Sequence, residues 1–184
     1  MSRLTIYRDD APLAAELDTA DEVRIREGLA GINVGFERWA ASQPLASTAR
    51  DDDILAAYGP EIRRLEHARS YQAVDVLRCM PDHPQREQLR AKFLAEHTHD
   101  DDEVRFFVEG AAMFYLHAKS RVHMVLCERD DLISVPAGMR HWFDMGPEPH
   151  FTVIRLFTTP EGWVARFTGD PIAVRFPAFA RQVS

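Results

Sequence analysis

The spacing of apolar and polar residues divides this chain into two parts that meet near residue 93. Up to that point the sequence is rich in charged residues, and many of its apolar residues recur three and four positions apart. Beyond it, short runs of apolar residues follow one another closely and are separated by turn-forming residues. Because side chains repeat every 3.6 residues along a helix and every two along a strand, we expect the first part to be mostly helical and the second to consist of strands.

The first part predicts three helical regions and two strands. The predicted helices are 20–30, 51–70 with an interruption at Gly59-Pro60, and a third that Asp82 or His83 caps with Pro84 in its first turn. The predicted strands are 32–39 and 71–78. The first of these stretches is ambiguous, because the apolar spacing that runs through it from Ile25 to Trp39 also suits a helix. Three glycines, at 28, 31 and 35, disfavour a helix, so a strand is preferred.

The second part predicts seven short strands: 93–99, 103–109, 112–117, 122–127, 132–135, 140–144 and 151–158. Turn signals separate several of them, including Glu109-Gly110 and Pro136-Ala137-Gly138. Many short strands at such spacing indicate a sandwich or a barrel. We therefore expect a mainly β protein, with the N-terminal helices packed outside.

Composition and charge narrow the range of functions. The chain has 184 residues, of which 46% are hydrophobic and 28% charged, as in one ordinary globular domain. Its net charge of −7 disfavours sequence-independent binding of nucleic acid. No apolar run is long enough to span a bilayer, and the first ten residues lack the apolar core of a secretory signal. The two cysteines, Cys79 and Cys127, do not make a disulfide framework, so a cytoplasmic location is the simplest expectation.

The residues most suggestive of chemistry lie in the stretch HTHDDDE at 97–103. His97 and His99 are two positions apart, so in a strand their imidazoles point to the same face. Glu103 has the same parity and brings a carboxylate to the same region. Two imidazoles and a carboxylate suit Fe, Ni, Mn, Co or Zn. The alternative interpretation is a polar strand surface on which the two histidines occur by chance.

A second stretch, Pro136-Ala137-Gly138-Met139-Arg140-His141, adds a further histidine after a tight turn. HxHxxxE followed about 40 residues later by PxGxxH resembles the two-part signature of the cupins, whose fold is a jelly-roll β-barrel. The resemblance is incomplete. Ala91, Asp130 and Met145 stand where cupin motifs usually have Gly, Gly and Asn, whereas Gly110 fits. These are turn and packing positions, so none of the four candidate ligands is lost.

Longer stretches indicate one branch of that superfamily. EHTHDDDEVRFFVEG, DLISVPAGMRHWFDMG and FTGDP, together with GFERW near residue 36, are similar to the bacterial acireductone dioxygenases of methionine salvage. The likeness covers most of the chain. It implies a single cupin domain over 1–184, made of an N-terminal part (1–92), a metal-binding barrel core (93–160) and a C-terminal segment (161–184).

The same resemblance implies the cofactor and the reaction. His97, His99, Glu103 and His141 would bind one Fe(II) or Ni(II) per chain, with two coordination positions left for water or substrate. The expected substrates are O2 and the acireductone 1,2-dihydroxy-3-keto-5-(methylthio)pentene. The iron form would give 4-methylthio-2-oxobutanoate and formate, and the nickel form 3-methylthiopropionate, formate and carbon monoxide. A monomer is common in that family and is the expected state.

Two arginines and several aromatic residues are candidates for the rest of the pocket. Arg105 lies two residues beyond Glu103 on the same strand face, where it could pair with an anionic substrate. Arg155 lies midway between Val153 and Phe157, at the two-residue spacing of a strand, and is the second catalytic candidate. For each arginine, the alternative is that it pairs with a carboxylate of the protein. The aromatic residues expected to line an apolar pocket are Phe93, Phe143 and Trp163.

The remaining polar residues receive structural interpretations. We expect the Asp100–Asp102 run to be a solvated turn and the two cysteines to be buried and unreactive. The other five histidines are expected to be exposed rather than metal ligands: His67, His83, His117, His123 and His150.

Two other functions use the same four ligands. One is a binding module that holds an acidic small molecule without converting it, and the other is a zinc- or manganese-dependent cupin isomerase. Enediolate chemistry needs positive charge beside two open metal positions, whereas a binder of sugar-like ligands needs neutral hydrogen-bonding side chains. Sequence leaves open the resident metal and whether the N-terminal part forms a cap or a lid.

Overall fold

A computed structural model describes residues 1–41, 44–46, 48–69, 71–159 and 164–180. Within them, eleven strands and four α-helices follow one another along the chain. The strands are β1 (Arg3–Arg8), β2 (Ala11–Thr19), β3 (Gly35–Arg38), β4 (Ala73–Cys79), β5 (His97–Thr98), β6 (Glu103–Ala118), β7 (Arg121–Glu128), β8 (Asp131–Val135), β9 (Arg140–Asp144), β10 (Phe151–Phe157) and β11 (Arg166–Phe167). The helices are α1 (Glu22–Ala30), α2 (Asp51–Ala57), α3 (Gly59–Arg69) and α4 (Arg86–Phe93), and a 3₁₀ turn covers Pro171–Arg175.

The strands form two antiparallel layers that share β6. One layer has the order β11-β5-β9-β6-β7-β1-β2, and the other has the order β3-β8-β6-β10-β4. Their facing sides enclose the largest hydrophobic cluster, to which Phe107, Phe114, Val125, Phe143 and Val153 belong. The predicted mainly β, jelly-roll barrel architecture is confirmed.

The helices cover the barrel from outside and at its ends. Ile54 of α2 and Ile62 of α3 pack on the outer face of the five-stranded layer, against Phe106 of β6. By contrast, Leu29 of α1 joins the interior cluster, and Phe93 of α4 packs against it. The outer face of the seven-stranded layer is covered by the C-terminal segment through Ile172 and Phe176.

Strand β6 passes from one layer to the other through a bulge. Thr152 of β10 pairs with Glu109 but Val153 pairs with Phe107, so β6 contains one extra residue there. Gly110 follows with a φ of +76°, and a Cβ at this position would lie 1.8 Å from the carbonyl oxygen of His150. Only glycine suits this bend. The predicted turn at Glu109-Gly110, with strands ending and beginning around it, is therefore wrong: one strand continues through the bend.

Other predicted boundaries are also corrected. The N-terminal part contains four strands as well as the helices, so it is not mostly helical. The strand predicted at 93–99 shortens to His97–Thr98, because α4 extends to Phe93. Neither Asp82 nor His83 caps α4. Its N-cap is Gln85, so Pro84 precedes the helix, and the His83 ring instead accepts a hydrogen bond from the Gln85 amide.

Strands β1, β2 and β11 were not predicted, whereas the first three helices follow the predictions closely. The helix at 20–30 appears as α1, capped by Asp21, whose side chain accepts a hydrogen bond from the Arg24 amide. The helical region 51–70 appears as α2 and α3, which meet at Tyr58-Gly59. None of the helices in the described ranges is long and apolar enough to cross a membrane.

Candidate metal centre

Four side chains converge where β5, β6 and β9 meet. His97 lies in β5 directly opposite His141 in β9, and Glu103 is the first residue of β6. His99 follows β5. All four residues are buried, and one potential ligand atom from each lies within 4.8 Å of the others. The two sequence stretches thus meet as predicted, because β5 and β9 are adjacent strands of one layer.

Backbone carbonyls orient the three imidazoles. The Nδ1 atoms of the three rings each lie close to a backbone carbonyl oxygen. The distances are 2.7 Å from His97 to Ala95, 3.1 Å from His99 to Val164, and 2.8 Å from His141 to Met139. A protonated Nδ1 that donates to a carbonyl leaves Nε2 with a free lone pair, the form in which histidine binds a metal.

The carboxylate faces these Nε2 atoms. Oε2 of Glu103 lies 3.0 Å from Nε2 of His99 and 3.1 Å from Nε2 of His141. Three imidazole nitrogens and one carboxylate oxygen, buried together with their lone pairs turned inward, fit one divalent transition-metal ion. A structural zinc site more often uses four closed tetrahedral ligands with cysteine among them.

Two of the four groups favour the protonation state that a metal ligand needs, whereas burial lowers the pKa of the third, His99, but the Glu103 carboxylate raises it overall. Burial and the neighbouring His141 lower the pKa of His97 to about 4, so this imidazole is neutral at pH 7. Burial alone would raise the pKa of Glu103, but the charge of Arg105 and the neighbouring imidazoles of His141 and His99 hold it well below its usual range. A neutral imidazole and an ionised carboxylate are the protonation states that metal binding requires.

Arg105 lies deep in the barrel beside the cluster. Its Nε is 2.8 Å from Oε1 of Glu103, the carboxylate oxygen that does not face the histidines. Its guanidinium carbon lies 4.3 Å from the ring centre of Phe143, 5.5 Å from that of Phe114 and 6.0 Å from that of Phe93. A positive charge is therefore enclosed by three aromatic rings beside the four candidate ligands.

Arg155 occupies a different environment. It is paired across the sheet with Arg105 on one side and with Asp75 on the other. Its Nε and Nη2 atoms bind the two carboxylate oxygens of Asp75 at 2.8 and 2.6 Å, and its guanidinium lies over Phe157. The alternative in which this arginine pairs with a protein carboxylate is thus present in the structure.

The aromatic candidates divide into those that reach the site and one outside the described residues. Phe93 and Phe143 contact each other edge to face, with ring centres 6.3 Å apart, and both lie near Arg105. Trp163 lies outside the described residues. Phe114 was not predicted as part of the site, and its ring centre lies 5.0 Å from that of Phe143. The extra residue in the β6 bulge reverses the face on which the later side chains of the strand lie, so Phe114 points into the barrel. This change is visible only in the pairing of β10 with β6.

Several structural interpretations need correction. Asp100–Asp102 lies in a loop, but its carboxylates bind other segments rather than solvent alone: Asp101 accepts hydrogen bonds from Thr158, and Asp102 binds Arg69. His117 and His123 are buried rather than exposed. His117 binds the buried carboxylate of Glu96 at 2.6 Å. The two cysteines are free and buried, as expected.

The chain is similar in sequence to proteins of one enzyme family. The sequence model of the ARD/ARD' family matches residues 3–165. The chain is 57% identical to an acireductone dioxygenase of Parvibaculum lavamentivorans over 99% of both chains, and 55% identical to one of Pseudomonas aeruginosa over 96% of this chain and 98% of that one.

A solved structure shows the same fold. The acireductone dioxygenase from Bacillus anthracis, described with a cadmium ion in its active centre, superposes with a TM-score of 0.79 at 32% identity. The match covers 91% of this chain and 98% of the other.

Proposed function

Since this chain belongs to the ARD/ARD' family, we propose that it is an acireductone dioxygenase of methionine salvage, a metal-dependent oxidoreductase. Its substrates are O2 and 1,2-dihydroxy-3-keto-5-(methylthio)pentene. Addition of both oxygen atoms and carbon–carbon cleavage give 4-methylthio-2-oxobutanoate and formate when iron is bound. With nickel, the same atoms are distributed over 3-methylthiopropionate, formate and carbon monoxide.

The observation that carries this proposal is the buried cluster of four potential ligands. Nε2 of His97, His99 and His141, with a carboxylate oxygen of Glu103, would hold one Fe(II) or Ni(II). The donor set fits either metal. When bound, such an ion supplies a Lewis acid and a template for the two oxygens of an enediolate.

Arg105 gives the site its charge preference. The guanidinium is buried, so its field is weakly screened and favours an anionic substrate near Glu103. It also holds the Glu103 carboxylate ionised. This charge supports enediolate chemistry over a sugar-like binder, which would need neutral hydrogen-bonding groups.

The aromatic residues around Arg105 form an apolar wall. Phe93, Phe114 and Phe143 surround the guanidinium and exclude water from it. We propose that Phe93 and Phe143, together with Trp163, also accommodate the methylthio group, since apolar walls favour such a group over water. Arg155, near the exposed edge of the interior, is proposed to attract the anionic substrate. A monomer in the cytoplasm remains our expectation for the working enzyme.

The proposal is tested by turnover of a desthio acireductone in air. Protein stripped of metal is compared with the same protein reconstituted with iron or nickel. We expect substrate loss only after reconstitution, and we expect His141→Ala to abolish it. His150→Ala, which changes a partly exposed histidine paired with Glu109, is the matched control and should retain activity. Equal substrate loss by metal-free and reconstituted protein would contradict the proposal.

A further inference from the structure

The backbone pairing between β6 and β8 stops beside the metal ligands. Glu103 pairs with Val135, the last residue of β8, and Pro136 follows it in the chain. A proline has no N–H, so it cannot continue the ladder of backbone hydrogen bonds. The turn that leads from Pro136 to the ligand His141 therefore needs another attachment.

The side chain of Asp102 provides that attachment. Its Oδ1 accepts a hydrogen bond from the Ala137 amide at 3.0 Å. The next amide of the turn, that of Gly138, donates to the carbonyl oxygen of His99 at 2.8 Å. The segment with three ligands, 97–103, and the turn 136–138 are thus joined by two adjacent hydrogen bonds.

The position of this turn determines the orientation of the fourth ligand. Met139 follows the turn, and its amide donates to the carbonyl oxygen of Pro136 at 3.2 Å. The carbonyl oxygen of Met139 in turn lies 2.8 Å from Nδ1 of His141. A displacement of the turn would move this carbonyl, and with it the imidazole whose Nε2 faces Glu103.

Asp102 is itself held from the opposite side. Arg69, the last residue of α3, donates from Nη1 to Oδ2 of Asp102 at 2.8 Å. The two oxygens of the carboxylate therefore have different partners, one on a helix outside the barrel and one on the turn. A carboxylate held by two partners has little freedom to rotate.

We propose that Asp102 is a positioning residue of the metal centre, because its carboxylate fixes the 136–138 turn against the 97–103 segment and so holds His141 in place with the other three ligands. This inference depends on metal binding at the site proposed above but not on the reaction catalysed there. It can therefore fail or succeed independently of the dioxygenase activity.

The test measures metal affinity without any substrate. The full-length protein is stripped of metal and titrated with Co(II) against a chelator, and the visible absorption of the bound Co(II) is recorded. We expect Asp102→Ala to weaken Co(II) binding by about 10- to 100-fold, the usual effect of removing a group that orients a ligand. The absorption spectrum should also change, because His141 is displaced.

Two further variants separate positioning from charge. Asp102→Asn loses the negative charge but retains an oxygen that can accept from Ala137, so we expect it to bind within about threefold of the unchanged protein. Asp100→Ala removes a charge from an exposed neighbour that pairs only with Arg166 among the described ion pairs, and it should also bind nearly normally.

The outcomes distinguish the explanations. Weak binding by Asp102→Ala together with recovery in Asp102→Asn supports the proposal. Equal weakening in Asp102→Asn and Asp102→Ala would show an effect of charge alone and would overturn it. Unchanged affinity and spectrum in Asp102→Ala would overturn it as well. If Asp102→Ala does not fold, Asp102→Leu takes its place. It is compared with Asp102→Asn in the same titration, by Co(II) affinity and by absorption spectrum.

Discussion

Two arginine–carboxylate pairs lie side by side on the inner face of the five-stranded layer, and their surroundings differ. In the first, Arg105 and Glu103 have side chains that are 5% and 2% exposed. In the second, Arg155 and Asp75 have side chains that are 25% and 46% exposed. Arg105 and Arg155 are direct neighbours across the strands. An arginine–carboxylate pair thus occurs once inside the barrel and once near its edge.

The difference shows how burial determines what an arginine can do. A buried pair is costly to form and more costly to break, because neither charge can be solvated after its partner is removed. An exposed pair is screened by water and contributes little to stability, although its arginine can exchange partners. We therefore propose a fixed role for Arg105 beside the candidate metal ligands and an adjustable role for Arg155 at substrate entry.

The largest effect is expected from Arg105→Met. This change leaves the Glu103 carboxylate buried without its cation, so the metal-free protein should lose about 3–5 kcal/mol of unfolding free energy. Turnover by the reconstituted enzyme should fall by about 100-fold or more, the typical cost of removing a charge that stabilises an anionic reacting group. Urea unfolding and steady-state kinetics measure the two effects.

Arg105→Lys is the matched control for that prediction. It keeps the charge but loses the planar group that contacts three rings, so both effects should be intermediate. If Arg105→Met unfolds at the same urea concentration as the unchanged protein and retains its turnover, the fixed role of Arg105 is wrong.

A smaller effect is expected from Arg155→Met. Because its ion pair is partly exposed, unfolding free energy should change by no more than about 1 kcal/mol. If Arg155 attracts the anionic substrate, KM should rise by about tenfold, equivalent to about 1.4 kcal/mol, while kcat changes less. Kinetics over a range of salt concentrations measure this, and an unchanged KM would remove Arg155 from the pocket.

The smallest effect is expected from Asp75→Asn. The variant releases Arg155 from its carboxylate but leaves the metal ligands and Arg105 untouched, so kcat/KM should stay within about threefold of the original value. The kcat/KM values of Asp75→Asn and Arg155→Met are measured under the same conditions and compared. A larger loss in Asp75→Asn than in Arg155→Met would indicate that the carboxylate itself contacts substrate.

The convergence of the four proposed metal ligands could be predicted from sequence because the spacing of three of them is local. His97, His99 and Glu103 lie within seven residues, and their parity needs only a short extended segment. Arg105 follows from the same alternation. His141 was predicted from the second stretch, where it follows a tight turn. It reaches the other three residues because β9, which contains it, lies beside β5.

Other features depend on contacts between distant segments. Asp75 reaches Arg155 through the pairing of β4 with β10, which local periodicity does not show. Phe114 lies inside the barrel because of the extra residue in β6, and strand alternation counted from Glu103 gives the wrong face. The role proposed for Asp102 depends on Pro136 lacking an N–H and on the position of Arg69 at the end of α3.

The most direct test of the account is to load the same protein separately with iron and with nickel and to analyse the gas released during aerobic turnover of a desthio acireductone. We predict substrate loss with both metals, formate from both, and carbon monoxide from the nickel form alone. One metal bound per chain but no substrate loss above the metal-free protein would contradict it and would favour a cupin that binds an acidic ligand without converting it.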